Sequence, residues 1–90
     1  LAFGALLAAW QAGIRVGRDG PLRIAGHDDH PLARYTCPPL TTVAQDYVEI
    51  ARLATNRLLV MLDDRMPASP AEATADEVLL KANIMLRASA

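Results

Sequence analysis

Apolar residues at the start of the chain fall on one helix face: Phe3, Leu6, Leu7, Trp10 and Ile14 follow helical spacing, and Gly13 supplies a stop signal. Ala2, Ala5, Ala8 and Ala9 fill the other face, so this helix is apolar nearly all round and is expected to be buried. It carries no N-terminal capping residue, and Leu1 reads as an interior point of a longer chain. The stretch "VGRDGP", Val16 to Pro21, is turn chemistry, and "LRIAG", Leu22 to Gly26, has the composition of a short strand ending at a glycine. Helix, tight turn and strand in that order form half of a βαβ arrangement, which predicts a parallel sheet.

The pattern then breaks. "HDDHPLARYTC" is a polar loop without period, and "CPPLTTVAQDY" changes character within a few residues. Its two prolines forbid helix, and Leu40 to Val43 has the β-branched look of a strand. Thr42 to Gln45 then fits the T-x-x-Q capping box, in which hydroxyl and amide each satisfy a free backbone N–H, so a helix is expected from Ala44 to Leu62. Tyr47, Ile50, Ala51, Ala54, Leu58, Met61 and Leu62 form its apolar stripe, with Glu49, Arg52, Asn56 and Arg57 mostly opposite. "DDRMPASPAEATAD", Asp63 to Asp76, reads as an exposed, mobile connector. Val78 to Leu80 and Ile84 to Leu86 are short apolar runs, both strand candidates.

Composition narrows the function classes. The 90 residues are 52% hydrophobic with a formal charge of −1, which fits at most one small globular domain and a soluble chain. Nine Lys and Arg balance ten Asp and Glu without a basic stripe, so this stretch offers no nucleic-acid surface. The opening apolar run meets its first charge at Arg15, short of the about 20 residues a membrane span needs. Cys37 is the single cysteine, which excludes an internal disulfide, suits a reducing cytosol and reads as a small buried hydrophobe.

The motifs "LAFGALLAAWQAGIRVGRDGPLRIAGHDD", then "PPLTTVAQDY", a long helix and a final "IMLRAS" resemble the C-terminal part of the effector-binding domain of LacI/GalR-family transcriptional repressors. The resemblance covers nearly the whole chain apart from the connector. "PPLTTVAQ" is its most specific piece, supported by the preceding "G-x-DD" and the closing "R-x-S". It implies an α/β fold of two lobes, like that of periplasmic sugar-binding proteins, with parallel sheets and strands that cross between lobes. Residues 1–39 would belong to the C-terminal lobe, and 40–76 would supply a crossover, helix and connector in the N-terminal lobe. Residues 77–90 would return to the C-terminal lobe. The crossing would run through Pro38, Pro39, Thr41 and Thr42. The family's helix-turn-helix, hinge helix and first lobe lie outside these residues, so the chain is expected to be a piece of a longer protein. "GRDGPLR" is about two residues longer than the family pattern. Arg23 falls in a normally apolar strand, and His27 stands where Phe or Tyr is common.

The same resemblance implies a cytoplasmic repressor in which a sugar- or nucleoside-like effector changes operator affinity. DNA would be bound through an N-terminal domain, and the protein would be a homodimer without membrane contact or cofactor. A transport binding protein of the same fold, delivering sugar to a membrane transporter, is the rival reading. Asp28 follows a strand-ending glycine, where the carboxyl edge of a parallel sheet presents ligand groups, and the family places an effector-contacting Asp there. An exposed turn former is its plainer reading. Gln45 and Tyr47 match family positions facing the effector; Gln45 equally completes the capping box, and Tyr47 equally suits the helix core. Tyr35 matches a region bordering the family's dimer interface, or is simply a surface loop residue.

"HDDH", His27 to His30, invites a metal reading because imidazole and carboxylate are good divalent-ion ligands. In an extended loop, however, neighbours alternate, pairing His27 with Asp29 and Asp28 with His30, and neither pair has a third ligand at suitable spacing. Catalysis has no support: nucleophile elbow, phosphate-binding glycine loop and Cys/His pairing signature are all missing from the sequence. A non-enzyme is expected.

Overall fold

The computed structural model describes residues 1–63 and 77–90. The expected mobile connector therefore falls mostly outside the described residues. The chain divides into two compact units, Leu1–Gln45 with Ala82–Ala90, and Asp46–Lys81.

In the first unit, α1 spans Ala2–Gln11 and ends in a hydrogen-bonded reversal at Gly13. Gly13 has φ of 68°, its N–H donates to the Trp10 carbonyl at 3.1 Å, and the Ile14 N–H donates to the Ala9 carbonyl at 2.9 Å. That pair of bonds is a Schellman closure, and the left-handed residue it needs is glycine as the sequence predicts. Within these residues only one face of α1 is covered. Leu6 and Ala9 are buried, whereas Leu7 and Trp10 are 54% and 75% exposed. The covering layer is the single sheet edge at β1, which can shield one stripe of a helix and no more.

Strand β1 (Ala25–His27) pairs in parallel with β2 (Thr41–Ala44), Gly26 standing opposite Thr42. A side chain at Gly26 would press on Leu40 Cδ2 at 3.0 Å and Ala2 Cβ at 3.2 Å, so glycine permits the close approach of α1 to the sheet. The strand begins later than "LRIAG" suggests. Ile24 is buried just ahead of it while Arg23 stays exposed, so a charge is tolerated there. Leu6, Ala9, Ile24, Ala33 and Leu40 make the core, each fully buried large aliphatic contributing about 1.5–3 kcal/mol.

Strand β3 (Asn83–Met85) lies on the other side of β2 and runs antiparallel to it, with Val43 opposite Ile84. The sheet is mixed, an antiparallel strand joining the parallel pair that was expected. Direction of travel explains it: β2 leads the chain out of the first unit, and β3 brings it back in. Val78 to Leu80, the other strand candidate, forms no strand.

Pro38, Pro39, Thr41 and Thr42 all fall in the first unit. Hydrogen bonds tie Pro39 and Thr41 to residues 87–89. Ser89, wholly buried, accepts the Thr41 N–H at 2.8 Å and donates to the Ile24 carbonyl at 2.6 Å, while its own N–H donates to the Pro39 carbonyl at 3.0 Å. Thr41 Oγ1 accepts the Arg87 N–H at 2.8 Å and donates to the Arg87 carbonyl at 3.0 Å. The short 3₁₀ helix Pro31–Arg34 buries Ala33 and leaves Cys37 exposed beyond it, so the buried role expected for that thiol is not the one it has.

In the second unit, α2 spans Tyr47–Leu62 and starts three residues later than expected. Its cap is Asp46, whose Oδ1 accepts the Glu49 N–H at 3.0 Å. Thr42 cannot cap it, because Thr42 lies in β2 and its hydroxyl accepts the Asp29 N–H at 3.2 Å. The helix buries no residue. Ile50, Leu53, Ala54 and Arg57 line a shallow groove together with Val78 and Leu80. Tyr47 is 56% exposed within these residues.

Candidate functional site

The carboxyl ends of β1 and β2 bring His27, Asp28 and Gln45 together. Gln45 Nε2 donates to Asp28 Oδ1 at 2.6 Å, and His27 Nδ1 stands 2.7 Å from the same oxygen. The amide that was expected in a capping box is therefore engaged with the carboxylate, and the helix start is satisfied by Asp46 instead. Adjacent parallel strands present their last residues side by side, which is why positions far apart in sequence meet here.

Backbone conformation shapes the cluster. Asp28 and Asp29 have φ of 78° and 40°, a left-handed pair that Asp tolerates better than most residues. The extended alternation assumed for "HDDH" does not hold, since two left-handed residues turn the chain and place His27 beside Asp28. The side chains of His27 and Asp28 remain open to solvent, at 57% and 59% exposure.

Asp29 turns inward. Its carboxylate meets Arg87 Nη2 at 2.8 Å, both side chains being largely buried, and Arg87 Nη1 also donates to the Leu40 carbonyl at 2.8 Å. The two neighbouring acids thus have separate surroundings: Asp28 faces solvent at the sheet edge, and Asp29 ties the loop to the returning chain. Sequence reasoning treated "DD" and "R-x-S" as separate marks of a family, and the pairing of Asp29 with Arg87 was missed. The signal available for it was the combination of an acid after β1 with an Arg two residues before a buried Ser.

His30 leaves the cluster. Its Nδ1 accepts the Leu32 N–H at 3.2 Å, and its ring meets Phe3 edge-on with centroids 5.8 Å apart. Among the described residues, no group of three or more His, Cys, Asp or Glu is placed to hold a metal ion. An open pocket of about 640 Å³ lies between the start of α1 and the end of β1, and His27, Asp28, His30, Phe3 and Thr42 line part of it. Its polar groups can accept and donate hydrogen bonds to a hydroxylated molecule, and its apolar wall can receive a ring face.

Tyr47 lies in the second unit and Tyr35 is 77% exposed beside the 3₁₀ helix. No helix among the described residues is long and apolar enough to cross a membrane.

Comparison with known proteins agrees with this architecture. The model of the periplasmic binding protein-like domain matches residues 1–90. The ribose operon repressor of Haemophilus influenzae is 46% identical over 59 residues, 66% of this chain and 17% of that protein. The repressor CytR of Escherichia coli is 43% identical over 63 residues, 70% of this chain and 17% of its own. A crystal structure of the Lac repressor dimer bound to operator and the anti-inducer ONPF superposes with a TM-score of 0.76 and 31% identity, covering 98% of this chain and 28% of that one. The chain spans less than a fifth of the curated relatives it matches. It belongs to the periplasmic binding protein-like domain family, and its relatives there are repressors of the LacI type.

Proposed function

We propose that this chain is the effector-sensing region of a LacI-type transcriptional repressor, a binding component with no enzymatic step. The observation that carries the reading is the Asp28 carboxylate held by Gln45 at the carboxyl edge of a parallel strand pair. An ionised carboxylate at such an edge accepts hydrogen bonds from the hydroxyls of a sugar- or nucleoside-like effector, and the amide beside it keeps it oriented. In the complete protein the ligand would change operator affinity through an N-terminal DNA-binding domain, in the cytoplasm. Homodimers would form with Tyr35 near the interface, a role that its exposure supports. Pro38, Pro39, Thr41 and Thr42 would be the anchored side of the crossing between lobes.

The test is Asp28→Ala in the full-length protein. Effector affinity should fall by about 1.5–3 kcal/mol, the scale of a hydrogen bond to a charged group, while stability stays close to wild type. Calorimetry showing unaltered effector affinity would remove Asp28 from the site.

A further inference from the structure

We infer that His27 is a positioning residue of the same site, whose protonation weakens the hold of Asp28 on an uncharged polyhydroxyl ligand; this rests on the reading of Asp28 as the effector carboxylate. His27 Nδ1 lies 2.7 Å from Asp28 Oδ1, the oxygen that also receives Gln45 Nε2. An ionised carboxylate only accepts, so the imidazole carries a hydrogen on Nδ1. Gln45 Nε2 is 3.4 Å from that nitrogen and gives its own hydrogen to Asp28 at the shorter distance. With Nδ1 committed as a donor, the ring gains its second proton at Nε2.

That proton turns a neutral donor into a cation beside the carboxylate. The contact becomes an ion pair, and a neutralised acceptor holds a ligand hydroxyl less strongly. By linkage, a neutral ligand that draws on Asp28 disfavours the imidazolium, so its binding releases a proton and its affinity falls as the solution is acidified. Imidazole is the side-chain class that changes charge between about pH 5 and 8, a range in which carboxylates as a class stay ionised.

Several groups among the described residues surround His27. Its own loop supplies Asp28, His30 and Asp29, the last paired with Arg87. From β2 and its end come Thr42 and Gln45, both uncharged, and α1 contributes the apolar side chains of Ala2, Phe3 and Ala5. His30 is the second imidazole lining the pocket, and its Nδ1 is held by the Leu32 N–H.

The experiment uses the full-length protein and calorimetric titration with D-ribose, lactose, maltose and cytidine at about pH 7.5, the tightest binder being carried down to about pH 5.5. Wild-type affinity should fall by about two- to fivefold, the scale of coupling between solvent-exposed charged groups. His27→Asn, whose amide nitrogen can stand in for Nδ1, should keep the higher-pH affinity and lose the pH dependence. His27→Phe should bind more weakly at the higher pH, and His30→Gln should retain the wild-type slope. A flat or reversed wild-type profile, an unchanged slope in His27→Asn, or a slope lost in His30→Gln would overturn the inference. If none of the four compounds binds wild type at the higher pH, the effector reading itself fails and the inference falls with it; binding without a His27-dependent slope defeats the inference alone.

Discussion

Ser89 donates its hydroxyl hydrogen to the Ile24 carbonyl across 2.6 Å, joining the end of the chain to the segment that leads into β1. The same oxygen accepts the Thr41 N–H at 2.8 Å, so one buried hydroxyl serves two backbone groups, one just ahead of β1 and one in β2. Parallel β1 and β2 are thereby clamped just before the positions where His27, Asp28 and Gln45 emerge.

Ser89→Ala should cost about 2–4 kcal/mol, because it leaves both a donor and an acceptor without partners in a site closed to water. Chemical denaturation of the full-length protein would measure the loss. A change within about 0.5 kcal/mol, the range of an ordinary surface substitution, would show that the clamp is replaceable.

Arg87→Met should destabilise by about 3 kcal/mol, since it strands a largely buried Asp29 carboxylate beside an aliphatic chain. The double variant Arg87→Met with Asp29→Leu should recover part of that loss, because the penalty lies in the unpaired charge more than in the missing bond. Denaturation midpoints of the two variants would decide it. Equal losses in both would place the cost in packing.

The elements with local causes were legible in the sequence: the α1 stripe, its stop at Gly13, the strand through Thr41 to Val43 and the long α2 all follow from periodicity and residue type. What escaped was decided by partners distant in sequence. Thr42 and Gln45 fit a capping box, yet Asp29 claims the Thr42 hydroxyl and Asp28 claims the Gln45 amide, so the D-x-x-E pattern at Asp46 takes over. Asp28 could be singled out as a candidate at the end of β1, although the strand runs past Gly26 to His27. Its pairing with His27 could not, because it depends on left-handed backbone at Asp28 and Asp29. Val78 to Leu80 has strand composition but is not a strand, since β2 takes its antiparallel partner from Asn83–Met85.

Asp46→Ala should destabilise α2 by about 1 kcal/mol by removing its N-terminal cap. Gln45→Ala should leave the helix unchanged and weaken the hold on Asp28, so circular dichroism and effector binding should respond to different members of this adjacent pair. Loss of helix stability in Gln45→Ala would restore the capping box at Thr42.

Glu49 and Arg52 form a two-point contact on α2, with Arg52 Nε at 2.8 Å from Oε2 and Nη2 at 2.6 Å from Oε1. Hydrogen bonding from Arg52 lowers the Glu49 pKa below its ordinary value of 4.5. A carboxylate with a depressed folded-state pKa contributes stability that is present above the unfolded value and lost as the pH falls through the folded one. Arg52→Gln should therefore move the Glu49 midpoint upward, toward 4.5, and remove its small share of the acid sensitivity of α2. Carboxyl chemical shifts followed through an acid titration would report the midpoint. No upward movement would show that the contact is screened by water.

The last prediction concerns the junction between the units. Pro39, Thr41 and Thr42 are tied by hydrogen bonds within the first unit, and the Asp46 cap fixes the first turn of α2. Between those two anchored stretches stands Gln45, whose amide is held by the carboxylate proposed to bind the effector. A ligand that pulls on Asp28 therefore acts one residue from the point where the chain enters the second unit. Inserting a single glycine between Gln45 and Asp46 should preserve the Asp28 contact and the helix cap while loosening their connection. Effector affinity should stay within several-fold of wild type, and the change in operator affinity on adding effector should shrink. Pro39→Gly should keep most of that change, because Ser89 still holds the carbonyl of residue 39 and the Thr41 N–H. Coupling is a free energy between two sites, so operator affinity must be measured with and without effector at one salt concentration. An insertion variant with the wild-type ratio, or a Pro39→Gly variant that loses it, would move the mechanical link away from Gln45 and back into the proline segment.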